Sequence, residues 1–186
     1  MIPRLVDTAI AIGQGLGLAT AAGLLASGPL AAGATAASQG WLEDPLSFLH
    51  RGAVVALMWA LVIVELAVDA VWPGAQAGGR LARRVVAGGL AFEFAAGNAL
   101  PWAGLAIGAA MAALAALAMR SIRSGAVKAG GDVRGTALVE DGAGLGASAL
   151  AVVPFIGYPL GVAAGAIFAR VRRRDDRKYE GLRVLR

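Results

Sequence analysis

Gly52 to Ala70 reads GAVVALMWALVIVELAVDA, nineteen residues that are apolar throughout except for Glu65 and Asp69. A helix needs about 20 such residues to cross the hydrocarbon core of a bilayer. A carboxylate at that depth is expensive unless it is protonated, paired or wetted, so it marks a position with a purpose. The stretch therefore predicts a membrane helix in a protein with a polar interior.

The rest of the chain extends that pattern. Of 186 residues, 58% are hydrophobic and 16% are charged, against about 25% charged in an average soluble domain. Mean hydropathy is +0.69. Thr8 to Gln39 carries no charge and is interrupted late by Ser27-Gly28-Pro29. Val85 to Met119 has only Glu93 charged and breaks at Gly97-Asn98-Ala99-Leu100-Pro101. Gly142 to Ala169 holds Pro154 and Pro159 around Phe155-Ile156-Gly157-Tyr158. These last two stretches are long for one crossing and short for two, so each is expected to fold as a broken hairpin. The expected fold is an all-α integral membrane domain over residues 1–169, with about six embedded helical segments, two of them Pro/Gly-broken hairpins.

Charge sets the expected orientation. Residues 170–186 hold eight Lys/Arg and three Asp/Glu, while residues 1–169 hold nine of each, so the net charge of +5 resides in the tail. Arg80, Arg83 and Arg84 form a second basic group, and Arg120, Arg123, Lys128 and Arg134 a third. The loop at Glu43 and Asp44 is acidic. Cytoplasmic loops carry the excess of Lys and Arg. That rule puts both termini and the three basic groups in the cytoplasm. Arg172, Arg173, Arg174, Arg177 and Lys178 then face anionic lipid headgroups. Nucleic acid is a poor partner for a run diluted by Asp175, Asp176 and Glu180 with Tyr179 as its one aromatic residue. Trp41, Trp72 and Trp102 fall at expected span ends. Asp7 and the length of the first apolar run argue against a cleaved signal peptide. A faint internal repeat at an offset of 72 residues superposes Pro29 on Pro101 and Asp69 on Asp141.

Glu65 and Asp69 are four residues apart and share a helix face. Two readings are open for them: a proton or cation site, because neighbouring carboxylates hold protons more readily, or structural pairs with Arg80, Arg83 or Arg84. Glu93 sits between Phe92 and Phe94, with Asn98 at the break that follows. A discontinuous helix leaves free backbone groups that must face protein or a watery cavity, and Glu93 and Asn98 are candidates to line it. Glu140 and Asp141 precede the apolar run from Gly142 and are read as acids at a helix start, with Lys128 and Arg134 as partners. Gly13/Gly17, Gly104/Gly108, Gly142/Gly146 and Gly157/Gly161/Gly165 have the spacing of close helix contacts. With no cysteine, thiolate metal sites are out of reach, and one histidine, His50, read as an interfacial residue beside Arg51, supports neither a zinc site nor a Ser-His-Asp relay. HExxH, GxSxG and phosphate-loop motifs are absent, so neither enzyme chemistry nor a metal or cofactor is expected.

These segments together resemble a family of uncharacterised bacterial inner-membrane proteins, a domain-of-unknown-function family. The carriers are the early Gly/Ala-rich helix, Glu65-Leu-Ala-Val-Asp69 followed by Pro73, Arg84-Val-Val-Ala-Gly-Gly89, Arg123 to Lys128, and Val139-Glu140-Asp141 before a helix with a mid-span proline. In that family a Lys commonly follows the acid before the first proline, and a second acid follows the proline; here Ala70 and Gln76 occupy those places. The resemblance implies a location and a length class, not a reaction.

The leading expectation is a small proton-linked transporter or channel-like protein with Glu65, Asp69 and Glu93 around a polar cavity. The alternatives are an accessory subunit packing through Gly/Ala-rich helices, as a homo-oligomer or within a larger membrane complex, and a lipid-handling protein.

Overall fold

The computed structural model describes residues 2–42, 51–72, 77–100 and 102–183. The acidic loop at Glu43 and Asp44, His50, Pro73, Gln76 and Pro101 lie outside the described residues, as do the side chains of Arg177 and Lys178. Seven helices follow one another: α1 (Ile2–Ala22), α2 (Ser27–Ser38), α3 (Gly52–Val71), α4 (Ala77–Ala96), α5 (Ala103–Lys128), α6 (Val133–Ala151) and α7 (Gly157–Arg183). No strand occurs among the described residues.

Ala- and Leu-rich runs make the helices, and local chemistry ends them. α2 and α5 each finish in a glycine of positive φ, Gly40 and Gly130. In both cases the next amide reaches back five residues, from Trp41 to the Ala36 carbonyl and from Gly131 to the Ala126 carbonyl, each at 2.9 Å. This double-bonded C-cap needs a left-handed residue, which glycine supplies without strain. α6 begins at Asp132, whose carboxylate accepts the Gly135 amide at 2.8 Å. Glu140 and Asp141 are therefore two turns inside α6, not at its start. The helix opened earlier than its apolar run because Gly130-Gly131-Asp132 already carries a stop and a cap.

The expected break at residues 97–101 is where α4 ends and α5 turns back along it. Gly88 faces Ala112 and Gly108, and Gly104 faces Phe92, so the two helices are antiparallel with almost no side chain between them. A Cβ on Gly88 would stand 2.3 Å from that of Ala112. The second broken stretch bends at residues 152–156, between α6 and α7. Each bend carries an aromatic residue at positive φ, Trp102 and Phe155.

One expected single pass is also a hairpin. The chain turns at Gly23–Ala26, and α2 runs back from there, with Ser27 beside Glu65 and Thr35 beside Trp59 of α3. α1 consequently starts at the end of the bundle where Asn98 lies, while the basic groups of α4, α5 and α7 gather at the other. α7 leaves Gly13 and Gly17 of α1 and passes Met111 on its way to that basic end. The start of α1 and the later turns of α7 thus lie toward opposite ends of the bundle, where the sequence reading had put both termini on one side.

Three described helices are long and apolar enough to cross a membrane, within Arg4–Ala22, Gly52–Val71 and Ala103–Lys128. That is fewer than the six expected, for visible reasons. α2 has 12 residues, and α4 and α6 carry the charged groups described below. Residues 170–183 prolong α7 as helix. Nor do element boundaries recur at 72 residues: the offset maps Gly52–Val71 of α3 onto residues 124–143, across the end of α5 and the start of α6.

α1 is the hub, packing against α2, α4, α5, α6 and α7. Gln14 donates to the Val152 carbonyl at 2.6 Å and Tyr158 to the Ala9 carbonyl at 2.7 Å. Of the small-residue pairs, Gly13/Gly17 and Gly104/Gly108 do make close helix contacts, whereas Gly142, Gly146 and Gly165 face open space. α3 lies at the edge and exposes Leu57, Leu61, Ile63 and Val64.

Candidate functional site

The basic end of the bundle holds a buried network of opposite charges drawn from α3, α4, α5 and α6. Glu65 and Asp69 enter it from one face of α3, and Arg80 and Arg84, also four residues apart, from one face of α4. Arg80 is hydrogen-bonded and ion-paired to Asp69. Arg84 donates to Glu140 Oε1 at 2.6 Å, and both side chains are more than nine-tenths buried. Arg123 of α5 reaches Glu140 Oε2 at 3.4 Å. Arg83, partly exposed, lies 3.0 Å from Glu65 Oε1.

Glu65 has a second task. Its carboxylate accepts the Ser27 amide at 2.8 Å, the Ala26 amide at 3.3 Å and the Ser27 hydroxyl. Ala26 provides no side-chain cap for α2. Glu65 therefore caps that helix from a neighbouring one, where the free amides and the helix dipole favour an anion. Ser27 was read in the sequence only as part of an interruption. Its residue type, a common N-cap, was the available signal.

Asp141 stands apart within the same network. It is 3% exposed, no hydrogen bond or ion pair ties it to another of the described residues, and its oxygens are not among the atoms sealed from water. The charges that act on it include Asp69, Glu140 and Glu65, with Arg84 as the cation. The expected pairing of Glu140 and Asp141 with Lys128 and Arg134 does not form. Arg134 is exposed in the first turn of α6, and Arg84 and Arg123 take Glu140 instead. Helix faces are legible from spacing, but which helix faces which is not.

Glu93 and Asn98 do not join Glu65 and Asp69. Glu93 lies nine residues beyond Arg84 on α4, about 14 Å along the helix. Its Oε1 is buried without a hydrogen-bond partner among the described residues, wedged between Gly97 and Gly104. Asn98 is exposed and borders a separate cleft of about 200 Å³ with Arg4 and Asp7.

Beside the charge network, α4, α5 and α6 enclose a half-open cavity of about 430 Å³. Among the described residues lining it, Arg80, Arg84, Arg120, Arg123 and Lys128 are cationic and Glu140 is the one acid. Leu81, Leu117 and Val127 supply apolar wall. Arg120 and Lys128 were visible in the sequence as part of a basic segment. Their convergence with α4 depends on the hairpin at residues 97–102. Arg172, Arg173 and Arg174 are exposed on α7. Among the described residues, no group of three or more His, Cys, Asp or Glu is placed to hold a metal ion.

Comparison with protein families, with characterised proteins and with solved structures gives no match.

Proposed function

We propose that the chain is a multi-pass protein of the bacterial cytoplasmic membrane with a proton-linked, transporter- or channel-like role centred on the charge network. The family resemblance set out above belongs to the same proposal. α1, α3 and α5 supply full crossings, with α2, α4 and α6 embedded among them. The positive-inside rule makes the basic end cytoplasmic, which leaves the start of α1 on the opposite face.

Asp141 carries this reading. A buried carboxylate without a partner, among three others and several arginines, is the group whose protonation changes the balance most. Proton uptake there leaves Arg84 to Glu140. Proton release sets Glu140 and Asp141 in competition for it. Because Arg84 belongs to α4 and both acids to α6, an exchange of partners changes how the two helices fit. Protonation thereby couples to helix position, which is the minimum a carrier requires.

The chain has no cysteine, so Val86→Cys and Val139→Cys, both at exposed sites, place one spin label on each helix. In nanodiscs the distance between labels is expected to shift between mildly acidic and neutral pH, and Asp141→Asn to hold it at the acidic value. Equal distances in both proteins at both pH values would remove the proton-coupled reading.

A second reading, an accessory subunit, is favoured by α3. Its apolar side is exposed while Glu65 and Asp69 on its other side are already paired. If no pH response is found, a cross-linked partner or second copy along α3 is the expected result.

A further inference from the structure

The cavity at the basic end is built for an anion with an apolar shoulder, and nothing in the charge network fills it. Its inner wall is made of Arg80 and Arg84, each more than nine-tenths buried. Each is ion-paired, to Asp69 and to Glu140 respectively, and its Nε is sealed from water, so the free donors that face the cavity are those at its mouth. Arg120 and Lys128 stand at the mouth, exposed and without an ion-pair partner among the described residues. Leu81, Leu117 and Val127 line the rest. At about 430 Å³ the space suits a headgroup and the first carbons below it, not an entire lipid.

We propose that this cavity binds the phosphate ester headgroup of an anionic phospholipid from the cytoplasmic leaflet. A guanidinium and an ammonium at the mouth of one cavity recognise phosphate oxygens by charge-assisted hydrogen bonds. The apolar wall beside them receives the glycerol and upper acyl region. Basic pockets between membrane helices on the cytoplasmic side bind such headgroups by the same means. The site differs from the exposed arginines of α7, which attract a charged surface without shaping a ligand. It rests on the membrane reading above but not on proton coupling.

The full chain in uncharged detergent, titrated calorimetrically with dihexanoyl phosphatidylglycerol, dihexanoyl phosphatidylcholine and inorganic phosphate, tests it. Phosphatidylglycerol is expected to bind at least about tenfold more tightly than either other probe. Arg120→Gln with Lys128→Gln lowers its affinity about tenfold, whereas Arg172→Gln, Arg173→Gln and Arg174→Gln together change it less than about twofold. Both cavity-mouth residues are exposed and have no ion-pair partner among the described residues, so folding survives their loss, and an unchanged thermal midpoint without ligand verifies this. Leu117→Gln is expected to weaken phosphatidylglycerol binding and leave inorganic phosphate unaffected. Equal binding of the two lipids overturns the proposal, as does loss of affinity in the α7 variant instead of the cavity variant. Inorganic phosphate binding as tightly as phosphatidylglycerol assigns the cavity to a soluble anion and overturns the lipid. Release of the chain from membranes by alkaline carbonate, a separate measurement, would instead defeat the membrane reading.

Discussion

At the start of α4, Arg80, Arg83 and Arg84 each meet a carboxylate supplied by another helix, and the three pairs tie α4 to α3 and α6. At the end of the same helix Glu93 keeps one buried oxygen without a partner, and Asn98 is exposed at a bend. Between the two ends the helix has no large side chain at Gly88, where it touches α1 and α5. Opposite charges at one end are held by geometry that three neighbours must maintain together. The other end depends on backbone reversal and asks little of its one acid. The same helix thus contains a region sensitive to loss of any partner and a region that tolerates change.

The largest expected effect comes from breaking the paired end. Arg84→Ala leaves Glu140 buried with only the longer contact to Arg123 and costs about 3–5 kcal/mol, read from the unfolding midpoint in mixed micelles. Arg84→Met with Glu140→Leu removes both charges and restores most of it. A single variant as stable as wild type would show that water reaches the pair. Next comes the seam between the two ends. Gly88→Ala sets a methyl group against Ala112 and the Gly108 carbonyl, and the expected loss is about 1–3 kcal/mol by the same assay, together with separation of an α4–α5 cross-link. At the tolerant end, Glu93→Gln changes stability by less than about 1 kcal/mol in either direction. A larger loss would reveal an ion pair there and erase the contrast.

The smallest effect belongs to the exposed cap of α6. The backbone amides of Gly135 and Arg134 hold the Asp132 carboxyl below its ordinary value of 3.8. A depressed folded-state pKa means the cap contributes fully above that ordinary value and is lost as pH falls through the lowered one. Asp132→Ala therefore lowers the unfolding midpoint slightly at neutral pH and makes no difference in strong acid. Scanning both proteins across that range distinguishes the cap from the buried pairs.

Much of the architecture was legible because it is written locally. Gly97-Asn98-Ala99-Leu100-Pro101 announces a reversal, and the absence of β-rich alternation leaves helices as the only repeated element. The turn at Gly23–Ala26 was missed because Ser27-Gly28-Pro29, a few residues later, drew the eye to a defect in a helix. In fact Ser27 opens a new one and borrows its cap from Glu65. The acids of the candidate site were visible one by one as charges in apolar surroundings. Their grouping was not: Asp69 finds Arg80 across a short connection, but Glu140 finds Arg84 across 56 residues. Asp141 looked like Glu140's companion and shares none of its bonds. Pairing depends on rotation of whole helices, which a one-dimensional pattern does not encode.

The hub position of α1 has a consequence for the order of assembly. Of the seven helices α1 leaves the ribosome earliest, yet Gln14 needs the carbonyl of Val152 and Ala9 the hydroxyl of Tyr158, 138 and 149 residues later. Its glycine-lined face can close only when α7 arrives, so the five helices between them must form while that face is still open. Such late, distant contacts slow folding and leave an intermediate in need of shelter. A chain stopped after α5 would keep α1, α3 and α5, the described helices apolar enough to cross, and still expose the polar amide of Gln14. Quality control acting on this protein would therefore inspect its beginning to learn whether its end had been made.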